Sequence, residues 1–434
     1  MRRVASFVFL VIAGVACADD WPQWMGPQRD DVWRETGILE KFPEGGPKFL
    51  WRTPIAGGYA GPAVANGRVF VTDFVTKTGK PAEGERLPSK NEGKERVLCL
   101  DKSTGKENWK HEYDCTYAVS YPCGPRCTPT VDGDRVYTLG TEGNLICLNV
   151  ADGKVVWSKE LKKDYKTKTP IWGFTGHPLV DGDKLFCLVG GDGSVVVCFD
   201  KMTGQEKWKA LSAQQPGYSP PTMVNTPAGR QLVLWHAESV NGLDPETGKV
   251  FWTVDLKPNY GMSIMGPQQA GDYLFVGGYN AAVVLKLAAD KPAVSEVYRG
   301  KKDTSVYPIN MTPLIDGDYI YGVDQPGQLR CVELKTGKRL WETTVPTTGA
   351  KPAGSGTAFL VKNGDRYFIF SESGDLIIAK LSPKGYDEVS RWKMLDQTGS
   401  AFGRAVVWSH PAFANKCVFA RNDKEIVCVS LAAQ

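Results

Sequence analysis

Residues 100–109 read LDKSTGKENW, in which an acidic residue, three residues, a glycine, three residues and a tryptophan follow one another. The same pattern, with an acidic or amide residue at its start, returns in LNVADGKVVW (148–157), FDKMTGQEKW (199–208), LDPETGKVFW (243–252) and VELKTGKRLW (332–341). The glycine stands where a tight turn needs a positive φ, which glycine adopts without steric cost. Each copy therefore predicts two short strands joined by a tight turn.

A second regular element precedes these turns. It reads TVDGDRVYTLG at 130–140, LVDGDKLFCLVG at 179–190 and LIDGDYIYGV at 314–323. Asp-Gly between alternating apolar residues is a strong signal for a β-hairpin. Four short strands in each period of roughly 40 to 50 residues are the sequence signature of a β-propeller.

The number of blades follows from the ends of the chain. Two degenerate copies end at Tyr298 and Trp392, and the last repeat, IVCVSL at 426–431, stops before any tryptophan. FLWRTPI at 49–55 has no repeat upstream, so we predict that it completes the last repeat and closes the ring. The sequence thus predicts an all-β, eight-bladed propeller. The aromatic residues expected to lock its blades are Trp51, Trp109, Trp157, Trp208, Trp252, Tyr298, Trp341 and Trp392.

The first eighteen residues, MRRVASFVFLVIAGVACA, combine two arginines, an apolar run and small residues. They predict a secretory signal cleaved after Ala18, because the run is too short to span a membrane. The alternative is lipid attachment at Cys17, but the expected leucine is absent before it. We therefore divide the chain into a signal peptide (1–18), a tryptophan-rich arm (19–48) that packs under the ring, and the propeller (49–434).

Charge and composition restrict the partners. A net charge of +4 in 434 residues is far from the strong positive charge that is typical of nucleic-acid-binding domains. Beyond the leader, no segment is apolar enough to cross a membrane. We expect an exported monomer, periplasmic or extracellular.

Eleven cysteines accompany this expected export, which makes disulfides possible. Cys187 and Cys198 are eleven positions apart, as are Cys417 and Cys428, and symmetric two-residue turns would place each pair directly opposite across a hairpin. Such pairs could be bridged, or could remain small core residues. For Cys123 and Cys127 we expect a loop-stapling bridge rather than a metal site, because the nearest histidine has no partner histidine.

The predicted topology also indicates a binding surface. Each tryptophan marks an outermost strand, and the next blade starts with its innermost strand, so the connecting segment crosses one face from rim to axis. These segments are rich in aromatic residues and glycine and contain almost no carboxylate. The candidate ligand-binding residues are Tyr121, Arg126, Trp172, His177, Tyr218, Tyr307, Asn310, Arg404 and His410.

Two interpretations of these residues stay open. The rings, together with Arg126 and Arg404, could hold a flat or anionic ligand by stacking and bidentate contacts. Alternatively, the rings wedge neighbouring blades and the arginines bind loop carbonyls. His177 and His410 occupy equivalent positions in the third and eighth blades, which are not adjacent, so we predict no metal site. No set of residues points to catalysis.

The Asp, Thr-Gly-Lys and Trp pattern resembles the pyrroloquinoline-quinone (PQQ) type repeat. Quinoprotein dehydrogenases share this repeat with BamB, a lipoprotein of the outer-membrane barrel-assembly machinery. The resemblance covers essentially everything after Lys48. More narrowly, the chain is similar to the secreted PQQ-like propeller proteins of planctomycete-type bacteria, a family largely without assigned activity. The segments that carry this likeness are DWPQWMGPQRDDVW (20–33), GPRCTPTVDGDRVYTLGTEGNLICL (124–148) and VNGLDPETGKVFW (240–252).

The resemblance implies fold more strongly than function. Dehydrogenases of this family hold PQQ beneath a disulfide between adjacent cysteines, and calcium through carboxylate and amide oxygens. This chain has no Cys-Cys pair, and its axial segments offer Asn310 but no carboxylate. We therefore predict no cofactor and a non-catalytic scaffold that binds a protein or small ligand on its loop face, as BamB does. The alternatives are a PQQ- and calcium-dependent alcohol or sugar dehydrogenase with an atypical site, and a module that binds polysaccharide or cell wall.

Overall fold

The computed structural model describes residues 19–77, 91–301 and 303–433. The predicted leader, together with Cys17, lies outside them. Within the described residues, eight four-stranded antiparallel sheets follow one another around the ring, which confirms the predicted eight-bladed propeller. In seven blades the strands run from the axis to the rim in chain order, and in the eighth the outermost strand comes from the start of the propeller.

The first four blades have strands of three to eleven residues. Their bounds are Ala63–Ala65, Arg68–Thr76, Asn91–Asp101 and Glu107–Tyr117; Thr130–Asp132, Arg135–Leu139, Asn144–Asn149 and Val155–Glu160; Leu179–Asp181, Lys184–Leu188, Val196–Asp200 and Glu206–Ala210; Thr222–Thr226, Gly229–Trp235, Ser239–Leu243 and Val250–Asp255. A short α-helix, Leu161–Asp164, follows the second blade, and a 3-10 turn, Asn259–Gly261, follows the fourth.

The second half of the ring repeats this plan. Its strands are Gln268–Ala270, Tyr273–Gly278, Ala281–Leu287 and Val294–Arg299; Leu314–Asp316, Tyr319–Val323, Leu329–Glu333 and Arg339–Thr343; Ala358–Asn363, Arg366–Ser371, Asp375–Ser382 and Gly385–Lys393; Ala412–Ala414, Cys417–Arg421, Glu425–Ser430 and Phe49–Pro54. A two-stranded hairpin, Gly399–Ala401 with Arg404–Val406, stands between the last two blades.

The ring closes as predicted. Phe49–Pro54 is the outermost strand of the eighth blade and pairs antiparallel with Glu425–Ser430, with Trp51 opposite Cys428. The first and last parts of the propeller thus share one sheet, so neither end of the ring leaves an open sheet edge.

The repeated tryptophan and glycine meet across the blade boundary. The Trp109 ring lies against Gly153 of the next blade, and its Nε1 donates a hydrogen bond to the Val150 carbonyl at 2.9 Å. Gly153 has φ +70°, and a Cβ there would come within 2.5 Å of the ring. The glycine is therefore required by its conformation and by the ring packed on it. Gly105, Gly204, Gly248 and Gly337 receive Trp51, Trp157, Trp208 and Tyr298 in the same way.

Three boundaries depart from this rule. At the seventh blade, a Cβ at the turn glycine, Gly385, would meet nothing within 4 Å, and the Nε1 of Trp341 donates to the Ser382 carbonyl at 2.7 Å. The fifth blade has no turn glycine, and the Nε1 of Trp252 instead donates to Gln231 Oε1 at 2.6 Å within its own blade. At the closing blade the chain is discontinuous, so no turn exists there to receive Trp392. Gly46 of the arm takes that place, with φ +87° and with Trp392 against it.

The arm packs under the ring, as expected. Trp21 forms an isolated bridge with Val64 of the first blade, and Val32 forms one with Lys362 of the seventh. Trp21 is 2 % exposed, and Trp33 is buried still more completely. The arm thus spans the underside and contributes to the largest hydrophobic core cluster of the molecule.

The predicted register of the first cysteine hairpin is wrong. Cys187 lies opposite Val197, and Cys198 lies opposite Phe186, because seven residues rather than a symmetric two-residue turn link these strands. Neighbouring register positions point to opposite faces of a sheet. The two sulfur atoms are therefore separated by the sheet, and no bridge between them is present.

The second hairpin is also shifted. Cys417 lies opposite Ser430 and Cys428 opposite Phe419, which makes the two cysteines diagonal neighbours on one face. Diagonal Cα atoms are about 7–8 Å apart, beyond the usual reach of a disulfide. The interaction with the Cys417 thiol, followed by burial, raises the pKa of Cys428.

The expected staple in the second loop is absent as well. Cys123 Sγ contacts Asp423 Oδ1 at 3.1 Å, whereas Cys127 Sγ points to the Phe174 carbonyl at 3.7 Å. Each thiol is thus held by a different part of the molecule. All ten cysteines in the described part of the chain are buried free thiols.

Candidate binding site on the loop face

The two faces of the ring carry different connections. Strands alternate in direction, so the turns between first and second and between third and fourth strands lie on the underside, with the arm. The turns between second and third strands, and the segments linking consecutive blades, lie on the opposite face, which we call the loop face. At its centre the loop face opens into a cavity of about 810 Å³ around the axis.

Seven of the nine candidate residues line this cavity, namely Tyr121, Arg126, Trp172, His177, Tyr218, Asn310 and His410. Tyr307 and Arg404 do not. Tyr307 is buried between blades, and its hydroxyl donates to the Lys301 carbonyl at 2.7 Å. Most of the residues that were predicted from strand topology therefore lie around one cavity, although each has its own contacts.

Arg126 is engaged by its own loop. Its guanidinium donates to the carbonyls of Gly124, at 2.9 Å, and of Ser120, at 2.8 Å, as well as to that of Tyr121. The face of the guanidinium lies over the Tyr59 ring, 5.0 Å from its centroid. The edge that would bind an anion is thus occupied by loop carbonyls, as in the second interpretation.

Arg404 is engaged by a carboxylate that the sequence reasoning missed. Its Nε donates to Glu372 Oε1 at 2.7 Å and its Nη2 to Oε2 at 3.1 Å. Glu372 also accepts the indole N–H of Trp408 at 3.0 Å and the backbone N–H of Thr357 at 3.0 Å. The predicted pair of anion-binding arginines is therefore not available in this structure.

The floor of the cavity comes from the arm. The Trp24 ring stacks on His177, with centroids 4.7 Å apart and planes 6° from parallel. Arg29 reaches the same place, where it donates to the Pro178 carbonyl at 3.1 Å. Burial, followed by the nearby Arg29 charge, holds the pKa of His177 well below its usual value. A neutral His177 accepts the backbone N–H of Thr128 at its Nδ1.

The pKa of the second histidine is shifted in the opposite direction. His410 Nε2 lies 3.1 Å from Asp31 Oδ1 of the arm, and both side chains are buried. Burial lowers the pKa of His410, but the Asp31 charge and hydrogen bond more than offset this, so the pKa is raised. Burial also raises the pKa of Asp31, against the attraction of His410. This ion pair ties the arm to the eighth blade.

The separation of blades three and eight does not keep His177 and His410 apart, because both reach the narrow axis. Each lines the cavity, and the charge of His410 contributes to the lowered pKa of His177. Their ring nitrogens nevertheless face different partners, because His177 Nδ1 accepts from Thr128 and His410 Nε2 contacts Asp31. In the described ranges, no group of three or more His, Cys, Asp or Glu side chains could hold a metal ion.

Sequence reasoning also missed the rim of the cavity. Tyr260 and Tyr279 stack with their centroids 5.8 Å apart, and Phe402 stands at the tip of the extra hairpin. Tyr260 is 73 % exposed and Phe402 is 53 % exposed. Turns between second and third strands reach the same face as the interblade segments, and this alternation could have indicated Glu372 and Tyr279.

The donor set of the cavity does not fit PQQ with calcium. Its described lining residues are aromatic, aliphatic or neutral polar, with one arginine and two histidines, and none is a carboxylate. Calcium takes six to eight oxygen ligands, usually including carboxylates. The one guanidinium that could meet an anionic quinone, that of Arg126, is bound to carbonyls. Neither the cofactor nor its metal finds a suitable set of partners here.

Comparison with known proteins places the chain in a family. The family model described as outer membrane protein assembly factor BamB matches residues 93–343 and 236–434. The chain belongs to this family. The BamB family member of Shewanella oneidensis is 25 % identical over 255 residues, which are 56 % of this chain and 63 % of that protein. The match thus spans less than two thirds of the curated relative.

Solved structures show the same fold. A crystal structure of BamB from Moraxella catarrhalis has a TM-score of 0.56 at 14 % identity, covering 88 % of this chain and 99 % of that one. A quinohemoprotein alcohol dehydrogenase from Comamonas testosteroni has a TM-score of 0.60 at 14 % identity, covering 96 % and 81 %. Both likenesses concern the propeller alone. In the parts of the chain that are described, we find no helix of the length and apolarity that a membrane span requires.

Proposed function

We propose that this BamB family member is an exported, non-catalytic scaffold that binds a protein on its loop face. The observation that carries the proposal is the axial cavity of about 810 Å³, open on one face, closed below by Trp24, and rimmed by exposed aromatic side chains. Large exposed apolar surfaces beside a concave site are typical of binding surfaces. Membership of the BamB family supports a scaffold role. Export rests on the character of residues 1–18.

A dehydrogenase is the less supported alternative. The neighbouring quinohemoprotein shares the fold at 14 % identity, and fold alone does not carry an activity. The cavity also lacks suitable partners for calcium among its described lining residues. A glycan-binding module has aromatic rings in its favour, but the aliphatic side chains of Ile171, Met262 and Ile264, which also line the cavity, are poorly suited to hydroxyl groups.

Site-specific photocrosslinking in living cells tests the scaffold. A photoreactive amino acid replaces Ile171 on the loop face in one strain and Met202 on the underside in another. The two side chains are matched controls, because they are 45 % and 43 % exposed. We expect discrete protein adducts from position 171 and none from position 202. Adducts from both positions alike, or from neither, would contradict loop-face binding.

A spectroscopic titration addresses the alternative. The purified protein is mixed with PQQ and calcium, and the quinone absorption and dye-linked oxidation of alcohols and sugars are measured. We expect neither a bound-quinone spectrum nor turnover. Appearance of both would replace the scaffold with a dehydrogenase.

A further inference from the structure

The first step concerns Phe402, whose position is unfavourable for the fold. Ala401 pairs with Arg404, so Phe402 and Gly403 form a two-residue hairpin turn. Their φ angles are +49° and +74°. A turn with two positive φ angles strongly prefers Asn-Gly, and a bulky residue in the first position is strained. The side chain is 53 % exposed, and the Arg404 guanidinium lies 5.9 Å from the centroid of its ring, so only part of the ring is packed.

Tyr260 repeats the pattern on the other side of the mouth. It has φ +56°, and its ring is the most exposed large hydrophobic side chain in the described part of the chain. Tyr121, at the cavity wall, has φ +53°. Three aromatic residues around one cavity thus adopt a conformation that favours glycine. Strain of this kind clusters at ligand-binding positions, where it holds side chains in place for an incoming partner.

Aliphatic side chains fill the space between these rings. Ile171, Met262 and Ile264 line the cavity with Tyr260 and Phe402. Such side chains offer no hydrogen bond to a hydroxyl group, so a sugar placed on them would lose hydration without replacement. An apolar amino-acid side chain would instead gain by burial, and methionine adapts its shape to such side chains. The mouth therefore suits polypeptide better than glycan.

The charges beside the mouth indicate what flanks the apolar side chain. The short α-helix and the segment that leads from it to Ile171 carry three exposed lysines, Lys163, Lys166 and Lys168, against one exposed carboxylate, Asp164. The cavity itself contributes the positive charge of Arg126, and none of its described lining residues is a carboxylate. A neighbouring lysine, Lys162, is already paired with Glu142 at 2.5 Å. The exposed lysines complement acidic residues on a partner.

We infer that the loop face binds an extended polypeptide segment in which a large apolar side chain enters the axial cavity and adjacent acidic residues lie along Lys163, Lys166 and Lys168. This inference rests on the proposed scaffold function and specifies the chemistry of its partner. Phe402 and Tyr260 clasp the apolar side chain at the mouth.

Selection of peptides tests the chemistry without a known partner. A random phage-displayed heptapeptide library is selected on the purified protein and depleted on the double variant Phe402→Asn, Tyr260→Gly. We expect the retained peptides to be enriched in Trp, Phe, Tyr or Leu next to Asp or Glu. Enrichment of basic or purely polar peptides, or no enrichment, would overturn the inference. Retention on immobilised chitohexaose with no peptide enrichment would identify a glycan site instead.

Affinities of the best selected peptide then locate the contacts. By fluorescence anisotropy, Phe402→Asn and Tyr260→Gly together are expected to weaken binding at least about tenfold, as for central aromatic contacts of an interface. Lys163→Glu, Lys166→Glu and Lys168→Glu together should weaken it about fivefold and reduce its salt dependence. The controls are Met202→Ala and the pair Lys106→Glu, Lys249→Glu, all exposed on the underside. Equal losses in the controls would contradict the assigned surface.

The experiments can contradict the scaffold function and the chemistry of its partner independently. Adducts from position 171 together with basic or polar selected peptides would keep the scaffold and remove the acidic, apolar partner. Absence of both adducts and peptide enrichment would remove both. Thermal melting of every variant confirms that a loss of binding is not a loss of fold.

Discussion

Aromatic residues crowd both faces of this propeller, but the backbone accommodates them in opposite ways. On the underside, Trp109 packs on Gly153, and the glycine takes the positive φ. On the loop face, Phe402 and Tyr260 take the positive φ themselves and remain exposed. Where the fold needs an aromatic ring, glycine supplies the unusual conformation. Where the ring itself has the unusual conformation, we infer that its position serves a binding partner.

The largest expected effect on stability comes from removing one aromatic ring from each face. Trp109→Ala should destabilise the protein by about 3–5 kcal/mol, because it empties a packed blade boundary and leaves the Val150 carbonyl without its donor. Trp172→Ala should cost less than half of that, because this ring is only partly buried at the cavity wall. Urea unfolding followed by circular dichroism measures both. Equal losses would mean that the loop-face ring is also a blade lock.

A second test separates conformation from packing in the glycine. Gly153→Ala places a Cβ against the Trp109 ring at φ +70°, whereas Gly133→Ala, at φ +58°, meets nothing within 4 Å. A left-handed alanine costs about 1–2 kcal/mol, and forced overpacking adds about 1–3 kcal/mol. We therefore expect the Gly153 variant to lose more free energy of unfolding than its control. Matching losses from urea unfolding would leave no role for the ring.

A smaller effect is expected from the ion pair between the arm and the eighth blade. The pKa values of His410 and Asp31 are both raised in the folded protein. A group whose pKa is raised on folding stabilises the folded protein at pH values below its pKa in the unfolded chain. This contribution is lost as the pH rises through its pKa in the folded protein. Stability should therefore fall as pH rises above about 6.5, the unperturbed histidine pKa.

The variant Asp31→Asn gives the matching control for this pH dependence. Without the carboxylate, burial remains the main influence on His410 and lowers its pKa. The slope of stability against pH should then reverse near neutrality, because a buried neutral histidine gains stability as pH rises. Melting temperatures between pH 5.5 and 8.5 measure both slopes. An unchanged slope in the variant would show that the pair does not titrate as described.

The sequence predicted the ring well because each repeat encodes the same local chemistry. Gly105 and Gly153 carry the turn, and Trp51 shows by its displaced position how the ring closes. The cavity was only partly predictable. Its position follows from strand direction, but the partner of Arg404 is Glu372, which is distant in sequence, and the floor under His177 is Trp24 of the arm. Cysteine register failed because it depends on turn lengths that no repeat determines.

The smallest effect on stability would sharpen the comparison most. Phe402→Asn converts the hairpin tip to Asn-Gly, the preferred sequence for two successive positive φ angles. We expect stability to be unchanged or to rise by about 0.5–1 kcal/mol, because strain at the turn is relieved while little buried surface is lost. Thermal melting measures this gain, and Phe402→Leu is the control, since it keeps a bulky residue at φ +49°. A clear destabilisation by asparagine would mean that the ring supports the hairpin. A gain in stability combined with weaker peptide binding would show that Phe402 is retained for the partner. The turn itself would prefer asparagine at this position.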